Sequence, residues 1–340
     1  MKQITLGRTG ITVPQNAFGA LPIQRVSQEA AVSLLREAYA GGMRFFDTAR
    51  AYTDSEEKVG AAFDGMREQV VLATKTQAKT PDAFWKDLEA SLTALRTDHV
   101  DLYQFHCVQQ CYRPEDGTGM YEAMLEARAQ GKVRHVGITT HQLGVAEEIV
   151  ASGLYETLQF PFSYLASDRD LALVHVCEAA DVGFIAMKGL SGGLLTNAEA
   201  CMAFMQQYNV LPIWGIQRES ELRQWLSFFT HTPTLTPALE AVIEADRAAL
   251  SGDFCRGCGY CAPCTVGIVI NQCARMSQMI RRAPSAAWLS ERWQAEMERI
   301  DDCVDCGLCM GRCPYGLEIP ALLRKNLADY RGILNGSVKV

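Results

Sequence analysis

Short apolar runs alternate with amphipathic stretches along the first 235 residues of the chain. A hairpin opens it: QITL, a turn at Gly7 and Gly10, then ITV. A strand is predicted near 16–20, and further strands at 43–48, 69–75, 100–106, 132–139, 156–160, 182–188 and 209–213. Helical periodicity fills the gaps, near 28–40, 55–65, 81–95, 118–130, 143–151, 168–180, 197–207 and 218–229. Ser27 is placed to cap the first helix, and Gly41 with Gly42 to stop it. Runs rich in Val, Ile, Phe and Leu, separated by helices, predict a parallel sheet covered on both faces. Eight such units predict an α/β fold of the (β/α)₈ type, a TIM barrel. A doubly wound open sheet is the alternative.

After this pattern comes a Thr/Pro-rich piece, THTPTLTP at 230–237, which reads as a boundary. The predicted organisation is a barrel at 1–235, a linker helix at 236–252 and a cysteine-rich, mainly helical domain with its tail at 253–340. The net charge of −7 and the absence of a basic stripe exclude nucleic acid as the expected partner. The start, MKQITLGRTGITVP, lacks a signal-peptide core, and no apolar run is long enough to span a bilayer. A cytoplasmic protein with no membrane partner is therefore expected.

Cysteine placement sharpens the picture. Of 13 cysteines, Cys107, Cys111, Cys177 and Cys201 precede residue 250; the rest lie between 255 and 313. Clustered cysteines in a cytoplasmic chain point to metal rather than to disulfides. One run is Cys255-x₂-Cys258-x₂-Cys261-x₂-Cys264. The other is Cys303-x₂-Cys306-x₂-Cys309-x₃-Cys313-Pro314, the bacterial ferredoxin spacing. In such modules three thiolates of one run hold a cube and the fourth ligates the other cube. CTVGIVIN after the first run echoes CPYGLEIP in the second, as a two-cluster repeat requires. The expected ligands are Cys255, Cys258, Cys261 and Cys313 for one [4Fe–4S] cluster, and Cys303, Cys306, Cys309 and Cys264 for the other. In the first run the last gap is a residue shorter and Thr265 replaces the usual proline. Zinc is the rival metal, but Cys₄ zinc sites pair Cys-x-x-Cys units over a longer gap. Cys273 stands outside both runs and is expected to be buried.

Barrel active sites lie at the carboxyl ends of the strands. Those ends carry Asp47, with Tyr52 just beyond, then Lys75 and His106. Singly, each reads as a cap, a solvated end or a core histidine; together they read as a site. The segments that carry them, FFDTARAYTDSEEKVGAAF, VLATK and VDLYQFH, resemble the aldo-keto reductase family, as do KVRHVGIT and LQFPFSYL, in order over roughly 1–228. The resemblance implies a catalytic tetrad of Tyr52, Asp47, Lys75 and His106. It also implies NADP(H) or NAD(H) across the barrel mouth, with GLSGGLL (Gly189, Gly192, Gly193) as a pyrophosphate loop. Thr139 and Thr140 stand where the family grips the nicotinamide amide, Gln159 matches its usual glutamine, and Met187 replaces its stacking aromatic. Arg218 is kept as a contact for a 2′-phosphate, while the adenine-holding pair reads Gln224–Trp225. Thr139–Thr140–His141 resembles a variant found in iron–sulfur members, which places His141 as a substrate-side candidate; Cys107, which directly follows His106 in HCVQQC, is another. The whole chain resembles ferredoxin-tailed aldo-keto reductases.

A hydride moves two electrons, whereas a [4Fe–4S] cluster moves one, so the halves need not form one wire. Three functions are carried forward. The first is a nicotinamide-dependent reductase of a small carbonyl substrate that bears two clusters. The second is a reductase fed by a ferredoxin or flavodoxin partner through the clusters. The third is a redox-sensing or electron-transfer scaffold.

Overall fold

The structure, a computed structural model, describes residues 1–250, 254–257, 259, 261–282, 285–313 and 315–338, the side chains of 282 and 285 excepted. Cys258 and Pro314, both named above, lie outside the described residues. The chain divides into two compact units, Met1–Gly189 with Ala198–Thr236, and Leu190–Asn197 with Pro237–Val340.

The first unit opens on an antiparallel hairpin of β1 (Gln3–Thr5) and β2 (Thr12–Pro14). Eight parallel strands follow: β3 (Ala17–Gly19), β4 (Phe45–Asp47), β5 (Val71–Thr76), β6 (Val100–Phe105), β7 (Val133–Thr139), β8 (Thr157–Pro161), β9 (Gly183–Met187) and β10 (Val210–Gly215). They close into a barrel, β10 pairing with β3 through Ile213 opposite Ala17. Closure settles the choice against an open sheet. Every position of β6 is buried, as expected of a strand packed on both faces.

The helices between are α1 (Gln28–Ala40), α2 (Ser55–Ala62), α3 (Pro81–Leu95), α4 (Met120–Ala129), α5 (Leu143–Ser152), α6 (Asp168–Ala179), α7 (Ala198–Met205) and α8 (Glu219–Ser227). The α1 helix buries Ala31, Leu34, Leu35 and Ala38, one stripe at helical spacing. Its Ser27 cap accepts the Ala30 N–H. Thr80 caps α3 in the same way, with Pro81 in the first turn, where its missing N–H costs nothing. Asp101 on β6 is a buried junction. Its carboxylate accepts from the Leu72 N–H of β5 at 2.9 Å, from Arg67 at 2.7 Å and from Arg134 of β7 at 3.0 Å.

Ile4, Leu6 and Val13 of the hairpin region pack with Ala17, Phe45, Ala73, Leu102 and Leu211 of the barrel interior. These are early or middle strand positions, so the interior is filled from the end where the strands begin. The carboxyl ends are left for chemistry.

The second unit is helical: α9 (Pro237–Ala249), α10 (Ile270–Cys273), α11 (Met276–Arg282), α12 (Glu291–Glu298), α13 (Leu308–Gly311) and α14 (Ile319–Leu334). Its core includes Ile268, Met276, Ile280, Met297, Leu323 and Tyr330. Buried Asn326 fastens α14, donating to Ala274 O and Leu322 O and accepting the Ser277 N–H. Cys273 is fully buried, and burial pushes its thiol up to about 12, so it is an inert core residue. Among the described residues no helix is long and apolar enough to cross a membrane.

Candidate active site and metal centre

Neighbouring strands bring the first site together. Asp47 ends β4 and Lys75 stands next to last on β5; both side chains are buried, at 2% and 0% exposure. Lys75 Nζ donates to Asp47 Oδ2 and to Thr48 O, each at 2.6 Å. A buried ion pair persists only when both charges are satisfied in this way. Tyr52 lies in the β4–α2 connection, with Lys75 Nζ 5.3 Å from its ring centre. His106 follows β6, and its ring meets Tyr52 edge to face at 5.6 Å. Strand ends thus gather Asp47, Lys75, Tyr52 and His106 on one rim.

Charge and burial set their protonation. Burial pushes Tyr52 well above the ordinary phenol range, and the charges of Asp47 and Cys107 add to the push. In the structure the ammonium is spent on Asp47 and Thr48, and the phenol stays protonated. Burial, then the charge of Lys75, holds His106 down to about 3, so its imidazole is neutral. Its Nδ1 is buried and has no hydrogen-bond partner among the described residues. Asp47 is pushed up by burial against the pull of Lys75.

His141 and Cys107 border this group. Cys107 Sγ lies 3.8 Å from His141 Nδ1, and Cys107 takes a left-handed backbone, φ 55°. His141 is also held down to about 3, by burial, then by Lys188, then by His106. Lys188 was missed in the sequence, although it directly follows Met187 at the end of β9 and obeys the same strand-end rule.

The cofactor candidates divide. Thr139 Oγ1 accepts the Cys107 N–H at 2.7 Å, and Thr140 Oγ1 donates to Val108 O at 2.9 Å. Both hydroxyls therefore hold the loop after β6. Gln159 Oε1 accepts from Gln104 Nε2 at 3.0 Å. Met187 ends β9, half-buried, and Gly189 lies against the Trp214 ring. Trp225, at the adenine-pair position, is a core residue stacked on Trp214 at 3.9 Å. Arg218 is exposed at the start of α8. There Glu221 accepts the Gln217 and Arg218 N–H groups at 2.9 and 3.1 Å, placing a carboxylate at the helix N-terminus. Gly192 and Gly193 belong to Leu190–Asn197, which folds with the second unit.

Residues 15–209 match the model of the aldo/keto reductase family, more than half of the chain. The chain belongs to this family. Among curated relatives, this aldo/keto reductase is 28% identical to the oxidoreductase YqkF of Bacillus subtilis over 212 residues, covering 58% of this chain and 67% of that one. It is 25% identical to an NADH-specific methylglyoxal reductase of Escherichia coli over 267 residues, covering 66% and 80%. An aldo-keto reductase of Klebsiella pneumoniae, solved in complex with NADPH, shares the fold: TM-score 0.59, 22% identity, 72% of this chain and 95% of that one. Residues 254–318 match a 4Fe-4S dicluster domain.

The cysteines of that segment fit two clusters. Cys264, Cys303, Cys306 and Cys309 line one hollow, joined by Cys261 and by apolar Val266, Ile268 and Leu323. The Thr265 hydroxyl lies 3.7 Å from Cys306 Sγ, and Arg312 donates to Pro263 O. The Cys264 end of the first run is therefore beside the second run. At the other end, the Arg256 guanidinium stacks over the Tyr315 ring at 4.3 Å, bringing the Cys313 segment to Cys255. The two runs therefore approach each other at both ends. Among the described residues no three Cys, His, Asp or Glu side chains gather tightly enough for a single metal ion.

Proposed function

We propose that this protein is a nicotinamide-dependent reductase of small carbonyl compounds that also carries two [4Fe–4S] clusters. The observation that carries the reading is the buried Lys75–Asp47 pair beneath Tyr52 and His106 at one rim. A bound nicotinamide supplies the hydride. The chain's own residues manage the oxygen: neutral His106 donates an N–H to the carbonyl, and Tyr52 gives it a proton as negative charge gathers there. A phenol held protonated does not ionise early; it yields its proton only to an oxygen made basic by the reaction. Asp47 fixes Lys75 so that its charge stays close to the Tyr52 ring.

In this reading Cys255, Cys258, Cys261 and Cys313 hold one cluster, and Cys303, Cys306, Cys309 and Cys264 the other, supplying one-electron transfer when loaded. The domains are read as 1–235, 236–252 and 253–340. The compartment is the reducing cytoplasm, where such thiolates stay available to iron.

A second reading draws on one observation. The Thr140 hydroxyl donates to the loop after β6, and Glu221 occupies the α8 N-terminus, where a 2′-phosphate would meet its charge. Weak dinucleotide binding would favour a reductase fed by a ferredoxin or flavodoxin, with Tyr52 and His106 delivering protons only.

Anaerobic turnover of methylglyoxal and other small aldehydes separates the two. The first reading expects NADH or NADPH oxidation that survives bleaching of the clusters and falls about 10²–10⁴-fold in Tyr52→Phe. Turnover that needs dithionite or reduced ferredoxin, and stops when the clusters are bleached, selects the second.

A further inference from the structure

Arg275 lies in the turn between α10 and α11, inside the second unit, at 6% exposure. Its Nη2 donates to Gln272 Oε1 at 3.1 Å. Its Nε and Nη1 are buried, with no hydrogen-bond partner among the described residues. The guanidinium is wedged between two backbone segments. A Cβ on Gly257 would come 2.8 Å from its Cζ, and a Cβ on Gly192 would come 2.5 Å from its Nη1. Both glycines sit at positive φ, 67° and 70°, so the close approach and the backbone each call for glycine. Gly257 in turn donates its N–H to Cys255 Sγ at 3.4 Å.

A buried cation with idle donors is costly unless something negative faces it. Arginine cannot escape by losing its proton, since its guanidinium stays charged even when buried. The ligand segment it packs against is Cys255–Gly257, whose Gly257 backbone joins the guanidinium to the Cys255 sulfur. A cluster with four thiolate ligands is anionic and has sulfur acceptors for N–H donors, so it meets both demands at once.

We propose that Arg275 is the charge partner of the cluster held by Cys255, Cys258, Cys261 and Cys313, and that its guanidinium raises the reduction potential of that cluster. The proposal rests on the ligand assignment given above. On reduction the cluster gains one electron from an external donor; no bond forms or breaks, and Arg275 keeps its protons. The fixed positive charge favours the more negative, reduced state. Charge and hydrogen bonds to sulfur are established levers on cluster potential. The arginines beside the other ligand set are exposed: Arg324, near Cys303, is paired with Asp305. Arg312 is exposed too, and bonds a backbone carbonyl. The two clusters should therefore titrate apart, with the Arg275 cluster reduced first.

The test is an EPR-monitored redox titration of the anaerobic full-length protein, with iron counted in parallel. In Arg275→Met one potential moves to a more negative value and the other stays, while Arg275→Lys recovers most of the shift. Full iron with both potentials unmoved overturns the proposal and leaves the ligand assignment standing. If Arg275→Met sheds the iron of one cluster, Arg275→Lys decides. Retention supports a charge role, whereas loss there too overturns it. Wild-type protein without iron overturns the ligand assignment instead.

Discussion

Lys75 commits its hydrogen bonds to Asp47 and to the Thr48 carbonyl, and that choice governs its neighbours. Tyr52 keeps its proton because burial and the nearby Asp47 charge oppose ionisation, while Lys75 contributes through the ring face. His106 and His141 are both held near 3, far below the usual 6.5. The unfolded chain takes up protons on these rings as pH falls through about 6.5, while the folded protein takes them up only near 3. Their contribution to stability is thus complete above about 6.5 and is lost progressively below it, by up to about 1.4 kcal/mol per pH unit for each ring. Urea midpoints at pH 7.5 and 5.5 check this. The wild-type protein should lose more on acidification than His141→Asn, and equal losses would remove His141 from the account.

At the scale of elements, the strand ends decide what meets. The β4 and β5 strands pair with Asp47 opposite Ala73, which brings Lys75 just beyond it to the same rim. That much was legible, because period and strand-end position are local properties. What holds neighbouring elements in register was not. Asp101 reads as one acid in VDLYQFH, yet it joins Leu72, Arg67 and Arg134. Asp101→Ala should lower the unfolding free energy by about 1–3 kcal/mol, since it strands the Leu72 amide and the half-buried Arg67, while exposed Arg134 can turn to water. Chemical denaturation measures this, and a loss under 1 kcal/mol would show the junction to be solvated. The loop bonds of the Thr139 and Thr140 hydroxyls were equally hidden. The sequence shows which residue occupies a family position, but not that a loop carbonyl or amide has already claimed it.

Across the whole molecule, the two kinds of chemistry belong to units with separate cores. The cysteine spacing exposed the second unit at once, because ligand spacing is written in one stretch of chain. Arg275 was not legible, since it matters only through residues distant in sequence, Gly192 and Gly257. Metal binding to ligands that come together only in the folded unit is itself folding free energy. Anaerobic calorimetry should resolve two transitions. Bleaching the clusters in air should lower one by several degrees and leave the other in place. A common shift of both transitions would mean that the units melt as one.

The short segment Leu190–Asn197 interrupts the barrel's stretch of chain, yet it folds with Pro237–Val340. The chain therefore passes between the two units at three places rather than one. Cutting after Thr236 would part that inserted segment from the unit it folds with, and grafting the tail onto another barrel would leave Arg275 facing no Gly192.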